Sequence, residues 1–306
     1  AEFHMEYRWV HADGTIVWTL GDVIPVLGDD GKATRFIGTL TDITARKQAE
    51  QAFARQLRFE QAIAQTSKRL LNVESSESVV TDSLTPLLEA SGVSRIYIFE
   101  NFDDPDDGLC MKQVFEVCAP GIAAEINNPV LQHVVYAQGF ERWRKALSAD
   151  EAIRGHVSDF PENEREVLEP QGIVSILVLP LVVEGRWWGF IGFDETRQRR
   201  DWQDSEVALL GTAAEMLGAH FTRKQIHERL ERVATELQLA QKISKIGNWF
   251  FDPMVGVPKW SEEVFRIYER DPALGPIPLA DYSDIYSPEY FEAFRAAISS
   301  AIHDGT

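Results

Sequence analysis

The chain has 306 residues, 44% of them hydrophobic and 25% charged, the proportions of ordinary globular protein with length for two or three domains. Its net charge of -18 and pI near 4.8 oppose attraction to phosphate backbones and anionic lipid, which excludes nucleic acid and membrane surfaces as partners. No apolar run approaches the ~18 residues that span a bilayer and no basic-then-apolar signal opens the chain, so the expected location is cytoplasmic.

From the N-terminus, residues 6–10 are extended, Asp13-Gly14 signals a hairpin, residues 15–27 follow, Asp29-Asp30-Gly31 marks a second turn, and residues 33–40 complete three antiparallel strands. Three strands with one uncovered face should not be stable alone. The run EYRWVHADGTIVW, ending in GTLTDITARKQAE, resembles the C-terminal half of a PAS domain, in which Asp42, Ile43 and Thr44 would close the last strand and start an output helix. On that resemblance residues 1–43 are a partial PAS domain and 44–56 a helical linker. Between 45 and 71 there is no Gly or Pro, and good helix formers dominate. Ala52, Gln56, Phe59, Ile63, Thr66 and Leu70 lie beside a second row, Phe53, Leu57, Glu60, Ala64, Ser67 and Leu71. That broad face suits packing on its own domain and packing on a partner helix equally.

A helix is expected over 77–91, strands over 94–102 and 109–119, and a helix over 162–171. The tip DDPDDG at 103–108 lacks a glutamate at the twelfth position of a calcium loop, where Val114 stands, so it reads as a solvated hairpin turn. Cys110 and Cys118 share one strand, ~26 Å apart at ~3.3 Å per residue, far beyond the ~7 Å a disulfide allows. Residues 119–160 are long, mixed and aromatic, with Tyr136, Phe140, Trp143 and His156, and long loops over a rigid sheet are where ligands are held. His133 and His156 each lack a companion at metal-ligand spacing, so no metal site is assigned.

Residues 172–195, GIVSILVLPLVVEGRWWGFIGFDE, read as a central hairpin reversed at Glu184-Gly185. Ile173 to Val183 is almost continuously apolar, so both faces of that strand should be covered. Gly189 and Gly192 invite close approach by a helix or a ligand, and Pro180 demands a bulge or an unpaired side. GIVSILVLPL followed by GRWWGFIGFDE, then the acidic-capped helix DWQDSEVALLGTAAEML, resembles a GAF domain over 57–222. The resemblance implies a six-stranded antiparallel sheet with helices behind and loops closing a small-molecule pocket in front. The fold class is therefore α+β, a central GAF-like domain with long helical linkers and partial PAS-like antiparallel sheets at both ends. Phe99, Phe115, Tyr136, Trp143, His156 and Ser175 are the candidate ligand-binding residues. The cofactor is unknown, and many members of the family bind none. Phe193-Asp194-Glu195 is similar to the end of a motif of cyclic-nucleotide-binding GAF domains whose Asn-Lys part is absent here. The family's bilin-binding branch attaches pigment to a cysteine in the long loop, and no cysteine occupies 119–160.

A helix capped by Asp201 is expected from Trp202 to about Lys245, ~65 Å at ~1.5 Å per residue and too long to bury in one small domain. Val207, Leu210, Ala214, Leu217 and Phe221 form a stripe for the sheet. Met216, Ala219, Ile226, Leu230, Val233, Leu237 and Ala240 form another, expected to meet a copy of itself in a parallel coiled coil over 223–243. The dimer seam is Ile226, Leu230, Val233, Leu237 and Ala240. His227-Glu228 lacks the nearby proline of a kinase acceptor helix and reads as an exposed histidine. KIGNWFFDPMVGVPKWSEEVFRIYERDP resembles the opening of a second PAS domain over 244–306, with Ile246, Gly247 and Trp249 at its entry and Ser261 capping a helix. Its later helix would carry Tyr290, Phe294, Ala297, Ile298 and Ala301 on one face.

No Ser/His/Asp set, carboxylate pair, phosphate loop or metal cluster assembles from the sequence, so no catalysis is expected. The chain reads as a sensory PAS-GAF-PAS segment, cut through a domain at each end. As a parallel homodimer it would pass a ligand-dependent change along its helices to an output domain, by resemblance a histidine kinase. Two alternatives remain: an unliganded dimerisation spacer in a diguanylate cyclase or phosphodiesterase, and a methionine sulfoxide reductase, which the spacing of the cysteines opposes.

Overall fold

Asp13-Gly14 turns the chain as its sequence predicts in the computed structural model, which describes residues 3–29, 31–71, 77–252 and 257–304. β1 (Phe3–Val10), β2 (Ile16–Leu27) and β3 (Ala33–Asp42) form an antiparallel sheet in that order. Thr15 N donates to Asp13 Oδ1 at 2.8 Å and Gly14 takes a φ of 85°, which costs little without a Cβ. Of the second turn, Asp30 lies outside the described residues. Trp9, Ile24, Phe36, Ile37 and Leu40 are exposed, the uncovered apolar surface that three strands imply. Thr44 N donates to Asp42 Oδ1 at 2.8 Å and Trp18 N to Thr44 Oγ1 at 2.9 Å, so the Asp-Ile-Thr triplet ties two strands to the start of α1 (Thr44–Leu70).

The two rows on α1 have different fates. Phe59, Thr66 and Leu70 are buried, whereas Phe53 and Leu57 of the second row are exposed. The buried row packs with α2 (Glu77–Ser91) into the core behind a six-stranded sheet. That sheet contains β4 (Arg95–Asp104), β5 (Gly108–Cys118), β6 (Val134–Val135), β7 (Ile153–His156), β8 (Ser175–Val183) and β9 (Arg186–Glu195). Its order is β6-β5-β4-β9-β8-β7, with every pair antiparallel. Short helices α3 (Glu141–Ser148) and α4 (Glu162–Leu168) cover the front, and α5 (Asp204–Ser244) joins α1 and α2 behind.

Two-residue alternation sorts the central strands between two cores. Ile96, Ile98, Leu177, Leu179, Ile191 and Phe193 point to the helices behind, while Tyr97, Phe99, Ile176, Val178 and Phe190 point forward. Hence the unbroken apolar run in β8: both of its faces are interior. Pro180 sits just past Val178, the last residue paired to β7, and one residue before a register shift at Leu181/Val182, meeting both conditions a strand proline sets.

α5 approaches this sheet where it lacks a side chain. A Cβ at Gly218 would lie 2.4 Å from the Val182 carbonyl oxygen, so only glycine lets helix and strand touch there. Leu210, Ala214, Leu217 and Phe221 of the predicted inner stripe are buried, and Phe221 stacks on Trp188 at 4.7 Å. The helix start differs from the sequence reading. Asp201 is engaged by His156 Nε2 at 3.0 Å, and the first turn is closed by Gln203, whose carbonyl accepts from Val207 N at 3.0 Å and whose N–H donates to Glu206 Oε2 at 3.3 Å.

The chain divides into compact units at 1–224 and 225–306, with the boundary inside α5. In the second unit, β10 (Trp249–Phe251) pairs with β11 (Pro258–Trp260), followed by α6 (Glu262–Ile267) and α7 (Pro288–Asp304). Ser261 precedes α6 as expected, but its hydroxyl accepts Asn248 N at 3.0 Å instead of capping the helix. Phe294 stacks on Tyr282 and Tyr286 while Tyr290 is exposed; the side chains of Ile298 and Ala301 lie outside the described residues.

The two glycines of α5 predict opposite responses. Gly218→Ala drives a methyl into the Val182 carbonyl and should destabilise by about 1–3 kcal/mol. Gly211→Ala meets nothing within 4 Å and should stabilise by about 0.5–1 kcal/mol through helix propensity. Urea denaturation of the two variants checks both signs.

Candidate ligand pocket

Alternation along β4 places Arg95, Tyr97 and Phe99 on the forward face of the sheet. Tyr97 pairs with Gly192, where a Cβ would sit 2.2 Å from the tyrosine ring. The ring therefore lies across bare β9 backbone, and its hydroxyl donates to Asp194 Oδ1 at 2.8 Å. From the neighbouring position Arg95 Nη2 donates to Asp194 Oδ2 and to the Gln171 carbonyl, both at 3.1 Å, and Nη1 lies 3.6 Å from Glu125 Oε1. Arg95 and Asp194 are each 1% exposed.

A bulge on β5 completes the polar wall. Ile98 pairs with Phe115 but Phe99 pairs with Gln113, so the strand slips one residue between them. Glu116, Gln113 and Met111 thereby share the forward face and line one cavity with Arg95, Tyr97, Asp194 and Gln171. Phe99, Phe140, Trp143, Phe190, Leu131 and Ile173 supply its apolar side. Trp143 is held from outside, its Nε1 donating at 2.9 Å to buried Glu164, which Arg142 Nε also engages at 2.8 Å. The cavity volume is about 30 Å³, room for two or three waters at ~10–15 Å³ each. Around it Arg95 Nε, Gln113 Oε1 and Glu116 Oε1 are buried without a hydrogen-bond partner.

Of the six candidate residues from the sequence, Phe99 and Trp143 line this cavity. Phe115 does not: sharing the face of Ile98, it points backward and stacks toward Phe221 at 6.1 Å. Tyr136 is buried beside the cavity, its hydroxyl donating to Asn101 Oδ1 at 2.8 Å. His156 and Ser175 meet elsewhere, at the β7 edge, where His156 Nδ1 lies 2.9 Å from Ser175 Oγ and Nε2 lies 3.0 Å from Asp201 Oδ1. This brings together a Ser, a His and an Asp that the sequence reading did not assemble. Ser175 is 0% exposed and its Oγ accepts Arg200 N at 3.0 Å, so no substrate carbonyl can reach it and the trio serves as a fold contact.

His133 also acquires partners that sequence spacing hid, lying 3.3 Å from Asp104 and 3.7 Å from Asp107 at the β4–β5 turn. Among the described residues these three are the ones whose ligand atoms could share a cation, and they lie on the surface. The sequence reading missed Arg95, Gln113 and Glu116 outright. Asp194 was noticed for a motif ending, without its partners.

Burial pushes the Asp194 carboxyl up to about 7 from its ordinary 3.8, against the opposing pull of Arg95 and Tyr97. The folded chain therefore binds a proton that the unfolded chain releases between about pH 4 and pH 7, and this site's contribution to stability falls as pH rises through that window. Asp194→Asn cannot titrate. Its melting temperature, relative to wild type, should rise from about pH 4 to pH 7, and a difference that stays constant would refute the assignment.

Over 215 residues the chain is 38% identical to the methanogenesis regulatory histidine kinase FilI of Methanothrix harundinacea (strain 6Ac), covering 70% of this chain and 24% of that protein. It is 21% identical over 169 residues to an uncharacterized protein of Azorhizobium caulinodans, covering 54% of this chain and 23% of that one. The chain thus spans about a quarter of the length of these relatives. Among solved structures, a phycocyanobilin-bound GAF domain from a cyanobacterial phytochrome has 15% identity and a TM-score of 0.45, over 55% of this chain and 96% of that one. The model of the GAF domain family matches residues 76–221, the stretch that holds the two-faced sheet and its forward cavity, and this part of the chain belongs to the GAF domain family.

Proposed function

We propose that the chain is a sensory segment of a longer signalling protein, in which the forward cavity of the GAF domain receives a small ligand and α5 carries the consequence to an output of the histidine-kinase type. The observation that carries this reading is the linkage of cavity to helix: Asp194 lines the cavity and lies ten residues before the start of α5 at Asp204. Between them Arg200 Nη2 donates to Glu206 Oε1 at 3.0 Å and Nη1 to the Ser91 carbonyl at 2.8 Å, joining the end of β9 to the first turn of α5 and to α2. A ligand that rearranged the Arg95–Asp194 wall would bias this junction by its differential affinity for the two arrangements. Similarity to a relative named as a histidine kinase supports the class of output.

The flanks enter the proposal by resemblance, as a partial PAS domain at 1–43, a helical linker at 44–56, the GAF domain at 57–222, a coiled-coil linker at 223–243 and the start of a second PAS domain at 244–306. Ile226, Leu230, Val233 and Leu237 are 43%, 63%, 55% and 56% exposed, and apolar residues at that spacing seek a partner. The partner proposed is a second copy of the chain, parallel, in the cytoplasm, with Ala240 extending the seam. Among the described residues no helix is long and apolar enough to cross a membrane. No catalysis is assigned to the segment. For a sulfoxide reductase the thiols are poorly placed, since burial raises the pKa of Cys110 and pushes Cys118 up to about 11, holding both as thiols at neutral pH.

A second reading, an unliganded spacer, is favoured by the cavity's small volume of about 30 Å³, well short of the ~300 Å³ at which drug-sized pockets begin. Leu230→Asp places a charge in the proposed seam and should convert dimer to monomer in multi-angle light scattering. An unchanged dimer, or a monomeric wild type, refutes the seam.

A further inference from the structure

The cavity's polar wall has a composition that selects the charge of what it holds. It contains one cationic side chain, Arg95, and two carboxyls, Glu116 and Asp194. The guanidinium is already divided: Nη2 serves Asp194 and the Gln171 carbonyl, and Nη1 lies 3.6 Å from Glu125. Nε is buried without a hydrogen-bond partner. Glu116 uses one carboxylate oxygen, Oε2, for the backbone N–H groups of Glu125 and Ile126 at 2.8 and 2.9 Å, and leaves Oε1 unbonded. Gln113, 3% exposed, likewise leaves Oε1 unbonded. The unmet demand is two acceptors, one of them a carboxylate, and one donor. A buried acceptor without a donor is costly, and more so when charged, so an occupant that brings N–H donors recovers that cost. An anion would instead meet the Glu116 carboxylate and a guanidinium whose charge is already shared by Asp194 and Glu125. Aromatic rings of Phe99, Phe140, Trp143 and Phe190 also line the cavity, surroundings that favour a cation over an anion.

We propose that this cavity binds a compact primary ammonium compound with a neighbouring oxygen, its N–H groups taken by Glu116 and Gln113 and its oxygen facing Arg95 Nε. This rests on the ligand-pocket reading above and adds the chemical class. The volume of about 30 Å³, room for two or three waters, admits only the smallest members of the class. Two sources share this chemistry, amino alcohols and zwitterionic amino acids, and they differ in whether the oxygen carries charge.

The test is isothermal titration calorimetry on the whole chain with ethanolamine, glycine, ethylene glycol and acetate. Ethanolamine or glycine should give saturable heat, with whichever binds naming the source, and ethylene glycol, which keeps the shape without the charge, should bind at least about tenfold more weakly. Glu116→Gln should weaken ammonium binding by about tenfold or more, and Gln113→Met, which removes an acceptor without changing charge, should weaken it as well. Circular dichroism establishes that each variant is folded; if Glu116→Gln is not, Gln113→Met decides. Acetate or ethylene glycol binding as well as the amines overturns the ammonium assignment and leaves the pocket reading standing. Ammonium binding at wild-type strength in the folded variants overturns it too. No heat from any of the four compounds overturns the assignment, and the spacer reading then replaces the pocket reading if a wider thermal-shift screen of uncharged and anionic small molecules is also silent.

Discussion

A carboxyl group with 1% exposure stands at the centre of this domain and dictates what surrounds it. Removing Asp194 from water costs several kcal/mol unless the site supplies partners. Those partners come from β4, as Arg95 and Tyr97, and Arg95 is held in turn by the Gln171 carbonyl before β8. Each requires its own accommodation. Tyr97 needs the bare backbone of Gly192 beneath its ring, and Arg95 needs Glu125 from the loop after β5 to engage its other nitrogen. One buried acid thus fixes the register of β4 against β9, the position of a loop, and the polar wall of the cavity.

The back of the sheet is organised by α5. Its first half fills the core with Leu210, Ala214, Leu217 and Phe221, and it also closes the end of α1. His220 Nδ1 lies 2.9 Å from the Leu70 carbonyl, and Arg223 Nη2 donates to the same oxygen at 3.3 Å. Terminal carbonyls of a helix lack intrahelical donors and attract positive groups, so this contact satisfies α1 with side chains from α5. Burial lowers the His220 pKa, favouring a neutral ring that donates through Nδ1. The helix entering the domain and the helix leaving it are therefore joined by one carbonyl, on the face of the sheet opposite the cavity. Any change that reached α5 from the front would be felt at α1 as well.

Apolar surface is distributed unevenly outside these cores. Phe53 and Leu57 on α1, and Ile226, Leu230, Val233 and Leu237 on α5, are exposed at helical spacing, while the three-stranded sheet exposes Trp9, Phe36, Ile37 and Leu40. Scattered apolar residues are normal on a protein surface, but rows at a fixed period are the pattern of an interface. A surface groove lined by Arg142, Arg154, His156, Arg200 and Asp201 is different in kind, because its arginines are paired: Arg142 with Glu164, Arg154 with Asp204, Arg200 with Glu206. Its charges cancel locally, and it makes a poor attractor of ions despite its arginines.

Much of the fold was readable along the chain because it depends on period and on turn chemistry. The apolar run 173–183, the reversal at Glu184-Gly185, the glycines of β9, Pro180 and the stripe on the first half of α5 all mean in space what they suggested in sequence. The site was less legible. Of the aromatic candidates Phe99 and Trp143 line the cavity, whereas Phe115 does not, because no sequence signal marks the slip between Ile98 and Phe99 that turns it to the back. The same slip brings Gln113 forward. Arg95 meets Asp194 across 99 residues, Glu116 joins them only as lining of the same cavity, and His133 meets Asp104 across 29 residues. Sequence by itself determined which residues must be hidden, since hydrophobic periodicity is local. Only the tertiary structure decided which charges face each other, since electrostatic pairing depends on distance in space and strand register sets that distance.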